Sequence, residues 1–469
     1  MKLNSLSNRR RSLLAAILSS LALGLTILLV ISIRSPQPAE AAASQFDQLF
    51  GTRGFVSTDV TPGDDDLTSV AIQSDGKIVA AGSCGIGTKS FCVVRYNVNG
   101  TVNGTVTTSI TGTVDKANAI ALQADGKIVV GGVSSFEEDF TVVRYNANLT
   151  LDTSFDGDGI AVIPLSDSQV INDLAIQPDG KILAAGWTSG TPGRHFMLAR
   201  FNPNGSMDTS FDTDGLVVTL IGSAGQATSV ALQSDGKIVA AGFATVSGGN
   251  HFAAARYNAN GSLDTTFDAD GSVTTAIGAI DQSYDLLVQP DGKIVVAGYT
   301  TTEGLLEATF ALVRYNQNGS LDATFDGDGK LITNFGHTGR GLAMQADGKI
   351  VAVGTFSYGN PLTAVVRINP NGSLDDSFHG DGRFLLLTPG STQDTTAVAI
   401  QADGMIVIGG WNDHQFILHR LLGDPHQAFT NFNAMFPADR VGTNPPGLPS
   451  NYGSLGDISG LRGTVTKVR

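Results

Sequence analysis

Seven arginines recur along this 469-residue chain at nearly constant spacing: Arg95, Arg144, Arg200, Arg256, Arg314, Arg367 and Arg420. Each lies in an otherwise apolar segment, and a carboxylate recurs shortly afterwards at Asp152, Asp208, Asp264, Asp322 and Asp375, with Asp47 near the start. A charge in an apolar strand needs a partner. The spacing therefore implies one structural ion pair per unit, with loop carbonyls as further acceptors.

A second set of carboxylates crowds the turns that follow. Asp152, Asp156 and Asp158 form one group, and Asp208, Asp212 and Asp214 a second. Asp264, Asp268 and Asp270, then Asp322, Asp326 and Asp328, complete the series. Oxygen-rich turns containing Gly suit Ca²⁺, so calcium is the one cofactor these residues suggest. The turn at Gly51, Thr52 and Arg53 lacks the carboxylates, and His379 breaks a further copy. The alternative is that these Asp side chains bond the turn backbone.

An aromatic position recurs as well. The residues at one repeat position are Ser83, Val133, Trp187, Phe243, Tyr299, Thr355 and Trp411, and both tryptophans of the chain fall there. Aromatics ringing one face of a closed structure could stack on sugars or clamp a peptide. Filling gaps between packed layers is the commoner use of large aromatics in strands. No catalytic residue is assigned: the seven histidines show no metal-ligand spacing. Nucleophile elbow, zinc helix and phosphate loop are all missing.

The elements that must position these residues are set by the stretch Gln289-Pro-Asp-Gly-Lys-Ile-Val-Val-Ala-Gly298. Its Asp recurs at Asp75, Asp125, Asp179, Asp235, Asp291, Asp347 and Asp403, spaced by 50, 54 and then four times 56 residues. Such a period is the mark of a repeat architecture. Before each copy runs an apolar strand such as Thr228-Ser-Val-Ala-Leu-Gln233, in which bulk alternates with Ala. Apolar residues on both faces imply cover on both sides. The Asp-Gly turn favours a tight hairpin with a glycine bulge. A second strand, a loop of changing length, a third strand and a further Asn-x-Asn-Gly turn follow. Each unit of about 54 residues therefore holds four antiparallel strands, the content of a propeller blade.

The expected fold is all-β, a seven-bladed β-propeller over residues 44–421. The segment Phe46-Asp47-Gln-Leu-Phe50 matches the one after the third strand of later units, while the last unit ends without one. Residues 45–55 should therefore lie beside residues 415–421 and close the ring.

Charged residues make up 15% of the chain and glycine is abundant at 57, which fits short strands and many turns. The formal charge is −14, so nucleic acid is not expected as a partner. Residues 1–43 combine Arg9, Arg10 and Arg11, an apolar run over 13–33 and a small-residue motif at Ala39-Glu40-Ala41, the layout of an export signal. An uncleaved anchor would be the chain's one link to a membrane. Export would permit a disulfide between Cys84 and Cys92; two free thiols are the other reading. Residues 422–469, rich in Pro and Gly, read as a linker or tail.

The pattern Leu-Asp-x-x-Phe-x-x-x-Gly, then Gln-Pro-Asp-Gly-Lys-Ile, then Arg-Tyr-Asn-x-Asn-Gly resembles the delta-sixty repeat of bacterial exported and surface proteins, over about residues 46–421. That resemblance implies a β-propeller in an extracytoplasmic setting and supplies no catalytic residue. The first unit departs from it, with Thr101-Val-Asn-Gly-Thr-Val in place of the Leu-Asp segment. The stretch Ile458-Ser-Gly-Leu-Arg-Gly-Thr-Val-Thr-Lys is similar to the first strand of jelly-roll domains related to the proprotein-convertase P domain.

The function expected is that of an exported, monomeric, non-catalytic binding or scaffold module for a glycan, peptide or surface protein. Two alternatives stay open: a hydrolase or lyase with carboxylates in the propeller funnel, and a spacer presenting a C-terminal domain.

Overall fold

A computed structural model describes residues 46–134, 139–163, 167–301, 308–356, 362–386 and 393–423. The segment read as an export signal, the tail and the stretch similar to a jelly-roll strand lie outside the described residues. No helix among the described residues is long and apolar enough to cross a membrane.

Seven four-stranded antiparallel sheets follow one another around a ring. Blade 1 comprises Asp64–Ile72, Ile78–Gly85, Ser90–Tyr96 and Val102–Thr108, in that spatial order. The inner strands of blades 2 to 6 are Lys116–Leu122, Gln169–Ile176, Ala224–Leu232, Ile280–Val288 and Thr338–Met344. Blade 7 takes Gln393–Ile400, Ile406–Asn412 and Gln415–Leu421 from the end of the ring, and its outer strand, Phe55–Thr58, from the start. Phe55 pairs with His419 and Thr58 with Phe416. The ring is thus closed by the N-terminal segment, as the match at Phe46–Phe50 requires.

Each Asp-Gly turn has the geometry that its residues dictate. The Gly180 amide donates to the Gln177 carbonyl at 2.9 Å, and the Asp179 carboxylate accepts from the Lys181 amide at 3.1 Å. Gly180 sits at φ 85°, where an L side chain is strained.

Apolar clusters fill the gaps between blades. Between blades 3 and 4, Leu183, Ala185, Phe196 and Leu198 meet Ala227, Val230, Ile238 and Tyr257. The inner strands pack on one another around the axis. Both faces of an inner strand meet a neighbouring blade, as its apolar residues imply: Leu232 packs with the cluster between blades 3 and 4, and Ala231 with the one between blades 4 and 5. Cys84 and Cys92 lie on adjacent strands of blade 1 with Cα atoms 6.0 Å apart, and the structure joins them.

Candidate functional site

The ring has two faces. On the turn face lie the Asp-Gly-Lys turns and the turns after the third strands. On the loop face lie the variable loops and the connections from blade to blade. The repeat's constant residues are spent on the turn face.

Each arginine has two kinds of partner there. Arg200 Nε donates to Asp208 Oδ2 at 2.7 Å, its guanidinium stacks 4.4 Å over Phe211, and Nη1 donates to the Ala259 carbonyl of the next blade. The same inter-blade bond runs from Arg95 to Ala147, Arg144 to Pro203, Arg256 to Gln317, Arg314 to Pro370, Arg367 to Gly423 and Arg420 to Val98. The seventh of these bonds completes the circle. In blade 1, Asn103 Oδ1 takes the carboxylate's place at 2.7 Å from Arg95 Nε, which accounts for the departure at 101–106. Lys181 adds a contact to Asp208 at 3.1 Å. Burial disfavours the charged form of Asp208, but the Ser210 hydroxyl, Lys181 and Arg200 outweigh it and hold the carboxyl below its usual range. Asp375 is held down to about 2 in the same way.

In the Asp-rich turns the first and third carboxylates bond the protein itself. Asp152 is bound to Arg144 at 2.8 Å. Asp158 Oδ1 accepts the Ile160 amide at 2.8 Å, and Asp214, Asp270 and Asp328 cap the amides of Leu216, Ser272 and Lys330 alike. Asp156, Asp212, Asp268 and Asp326 occupy left-handed backbone at φ 45–49°, a conformation Asp tolerates. His379 and Gly51 stand at the same position with φ 54° and 52°. What recurs is therefore a backbone conformation and not a carboxylate. No group of three or more His, Cys, Asp or Glu capable of holding a metal occurs among the described residues.

The aromatic position lies on the loop face, near the channel mouth. Trp187 is buried at 7% exposure beneath Arg194, whose guanidinium stacks 3.7 Å from the ring and donates to Gln226 Oε1 of the next blade. Trp187 thus fills the seam between blades. Phe243, Tyr299 and Trp411 are half-buried.

Two sets of channel residues escaped the sequence reading. Every inner strand carries a β-bulge, at Thr68, Asn118, Asn172, Thr228, Tyr284, Arg340 and Thr396. In four blades the bulged side chain donates to a carbonyl of the next inner strand: Thr68 to Ala117, Asn118 to Ile171, Asn172 to Ala227 and Thr396 to Leu67. Thr228 donates instead within its own blade, to the Ala241 carbonyl at 3.2 Å, and Tyr284 and Arg340 depart from the Thr or Asn of the other copies. Arg340 lies 5.2 Å over the Tyr284 ring and pairs with Asp394 at 3.2 Å. Tyr299 lies 6.1 Å from Tyr284.

The position after each bulge is Ser69, Ala119, Asp173, Ser229, Asp285, Gly341 or Ala397. The Ser229 hydroxyl lies 2.8 Å from Asp173 Oδ2 and 3.0 Å from Asp285 Oδ1. One hydroxyl proton cannot serve two ionised carboxylates, so the trio is best satisfied with an added proton. Burial raises Asp173 to about 6. Burial, and then the charge of Asp173, raises Asp285 to about 7.

The folded chain therefore holds a proton that the unfolded chain has released, between an unfolded carboxyl value near 3.8 and neutrality. Stability from this source is complete below that value and is lost as pH rises through 6 and 7. The loss is on the order of 3 kcal/mol, at about 1.4 kcal/mol per proton per pH unit. Arg-bound carboxylates such as Asp375 act oppositely but lose their contribution only below about pH 4. Urea midpoints should accordingly fall from pH 5 to pH 8. D285S, which carries the residue of Ser69 and Ser229, should shrink that fall by half or more. A midpoint that rises over this range, or an unchanged slope in D285S, contradicts the shared proton.

Six stretches, residues 73–105, 123–155, 177–211, 233–267, 289–325 and 345–378, match a family described as a domain of unknown function (DUF5122) beta-propeller. They mark the chain as a β-propeller repeat protein. No curated protein matches it in sequence. Among solved structures, the WD40 beta propeller domain of Doa1 is similar at 10% identity and TM-score 0.47, over 80% of this chain and 99% of that one. Virginiamycin B lyase from Staphylococcus aureus is similar at 11% identity and TM-score 0.47, over 78% and 99%. Kuenenia stuttgartiensis hydrazine synthase is similar at 15% identity and TM-score 0.48, over 79% and 98%.

Proposed function

We propose that this β-propeller repeat protein is an exported, non-catalytic binding or scaffold module of the delta-sixty kind, acting as a monomer. Its partner is an extracellular glycan, peptide or surface protein, held on the loop face. One observation carries the reading. The constant Arg, Asp, Lys and Gly of the repeat are consumed on the turn face in closing the ring, whereas Tyr284 and Arg340 depart from the repeat at the channel. Residues that must hold a fold are repeated, and residues that recognise one ligand need not be. The leader at 1–43 supports export. The acidic balance of the chain argues against nucleic acid.

Asp173 and Asp285 favour a second reading, a hydrolase or lyase on an extracellular polymer, since raised carboxyl pKa values suit general acid catalysis. Against it, the oxygens of both also accept backbone amides of the channel wall: Leu174 and Val230 on Asp173, Leu286 and Leu342 on Asp285. The test is to probe the intact chain against glycan and peptide arrays and to assay the same polymers for new ends. Binding without cleavage is expected. Cleavage that D285S abolishes would establish the enzyme instead, and an array with no binding at all would leave only a spacer.

A further inference from the structure

The seven copies of the repeat serve as an internal comparison. At the bulge of the inner strand, blades 1 to 4 and blade 7 carry Thr or Asn, side chains short enough to bond a backbone carbonyl beside them. Blades 5 and 6 carry Tyr284 and Arg340. Both are half-buried, with Arg340 showing 36% side-chain exposure at the channel. The exchange gives up a staple between blades and puts an aromatic ring and a guanidinium in its place. Asp394 of blade 7 joins them, its second oxygen held by Thr355 Oγ1 at 2.7 Å. Trp411 is the cross-strand neighbour of Asp394, in register with it. Tyr299 stands beside Tyr284.

The chemistry of this sector is specific. Tyr284 and Tyr299 are half-buried with ring centroids 6.1 Å apart, and Arg340 lies over one face of Tyr284. Arg340 and Asp394 offer fixed donors and acceptors that cancel in charge. An anionic ligand would meet no net positive charge here and an acidic protein around it. A cationic ligand would meet the like charge of the Arg340 guanidinium beside the rings. Flat faces beside a neutral donor and acceptor pair fit the ring of a neutral sugar, whose C–H faces stack while its hydroxyls bond to Arg and Asp.

We infer that the channel mouth between blades 5 and 7, built from Tyr284, Tyr299, Arg340 and Asp394, with Trp411 on the strand beside Asp394 as its reporter, binds a neutral saccharide. The inference rests on the binding-module reading and deepens it. Arg340 and Asp394 meet adjacent hydroxyls, and an aromatic ring carries the sugar face. Trp187, sealed in its seam, takes no part.

The test uses the intact chain carrying W187F, so that Trp411 is the one remaining tryptophan. Cello-, xylo- and chito-oligosaccharides are titrated against its emission, with an oligogalacturonate as the anionic control. At least one neutral series should shift or quench Trp411, and the anionic control should not. Y284T and R340T should each weaken binding about tenfold or more, the scale of a lost anchor contact. Both variants carry the residue type that other blades use at the bulge, so their unfolding midpoints should equal or exceed that of the parent. Binding unchanged in both folded variants, or a silent Trp411 against every neutral series, overturns the inference. If the arrays return a peptide or protein ligand and no saccharide, this inference fails and the binding module stands. If they return nothing, both fail.

Discussion

A chain lacking residues 46–58 should lose its cooperative unfolding transition. That segment supplies the outer strand of blade 7, pairing Phe55–Thr58 with the strand Gln415–Leu421. It also supplies Phe50, fully buried, and Asp47, whose carboxylate meets Arg420 Nε at 2.9 Å. Loss of a buried Phe costs about 3–5 kcal/mol, and a buried arginine left without its partner costs a similar amount. Together these rival the whole net stability of a domain, on the order of 5–15 kcal/mol. Blades 1 and 7 would also no longer be held together across the closure. Because Phe46 bridges Leu421, the two ends meet. A circular permutant that begins at residue 59 and carries residues 46–58 after residue 423, through a short linker, should therefore recover the transition. A truncated chain that unfolds at the parental midpoint would mean that the ring is not held by its closing strand.

The second large effect is expected at the arginine ring. R314M removes a guanidinium bonded to Asp322 at 2.7 Å, to Thr324 at 3.1 Å and to the Pro370 carbonyl of the next blade, and stacked 4.6 Å over Phe325. Both members of the ion pair are buried. Breaking such a pair from one side costs about 3–5 kcal/mol, because the other charge stays behind. Lys293, 3.0 Å from Asp322, offsets part of that charge but cannot reproduce the bond between blades. R314K should recover less than half of the loss, since an ammonium has neither the fork nor the flat face. The double variant R314M/D322N should cost less than the sum of the single ones. Denaturant midpoints check all of this, and a change below about 1 kcal/mol in R314M would place the arginine outside the structural frame.

Much of the fold was legible because repetition amplifies weak signals. A single Asp-Gly turn says little, but seven at a near-constant period fix the unit, and the orphan segment at Phe46–Phe50 shows where it closes. The site was less legible for three physical reasons. Strand order within a blade is not written in the period, so the strand facing the channel could not be named, and Asp173 and Asp285 went unnoticed. A bulge adds one residue without changing composition, so Tyr284 and Arg340 look like ordinary strand residues until the copies are aligned by their Asp-Gly turns. Carboxylates at Asp156, Asp212, Asp268 and Asp326 suggested a cation because Asp is both a metal ligand and a tolerant left-handed turn residue. His379 and Gly51 share that left-handed φ, which fits the turn role. The aromatic position was legible as a position but not as one role: it seals a seam at Trp187 and stands half open at Trp411.

The division of labour between the two faces is tested most directly by amide hydrogen exchange of the intact chain, with and without the strongest ligand from the arrays. Slowed exchange is expected on the loop face and the channel wall, in residues 280–285, 338–341, 393–396 and 410–415. The turns at 177–181 and 202–206 should exchange as before. Protection confined to those turns would contradict the account, because it would put recognition on the residues that hold the ring together.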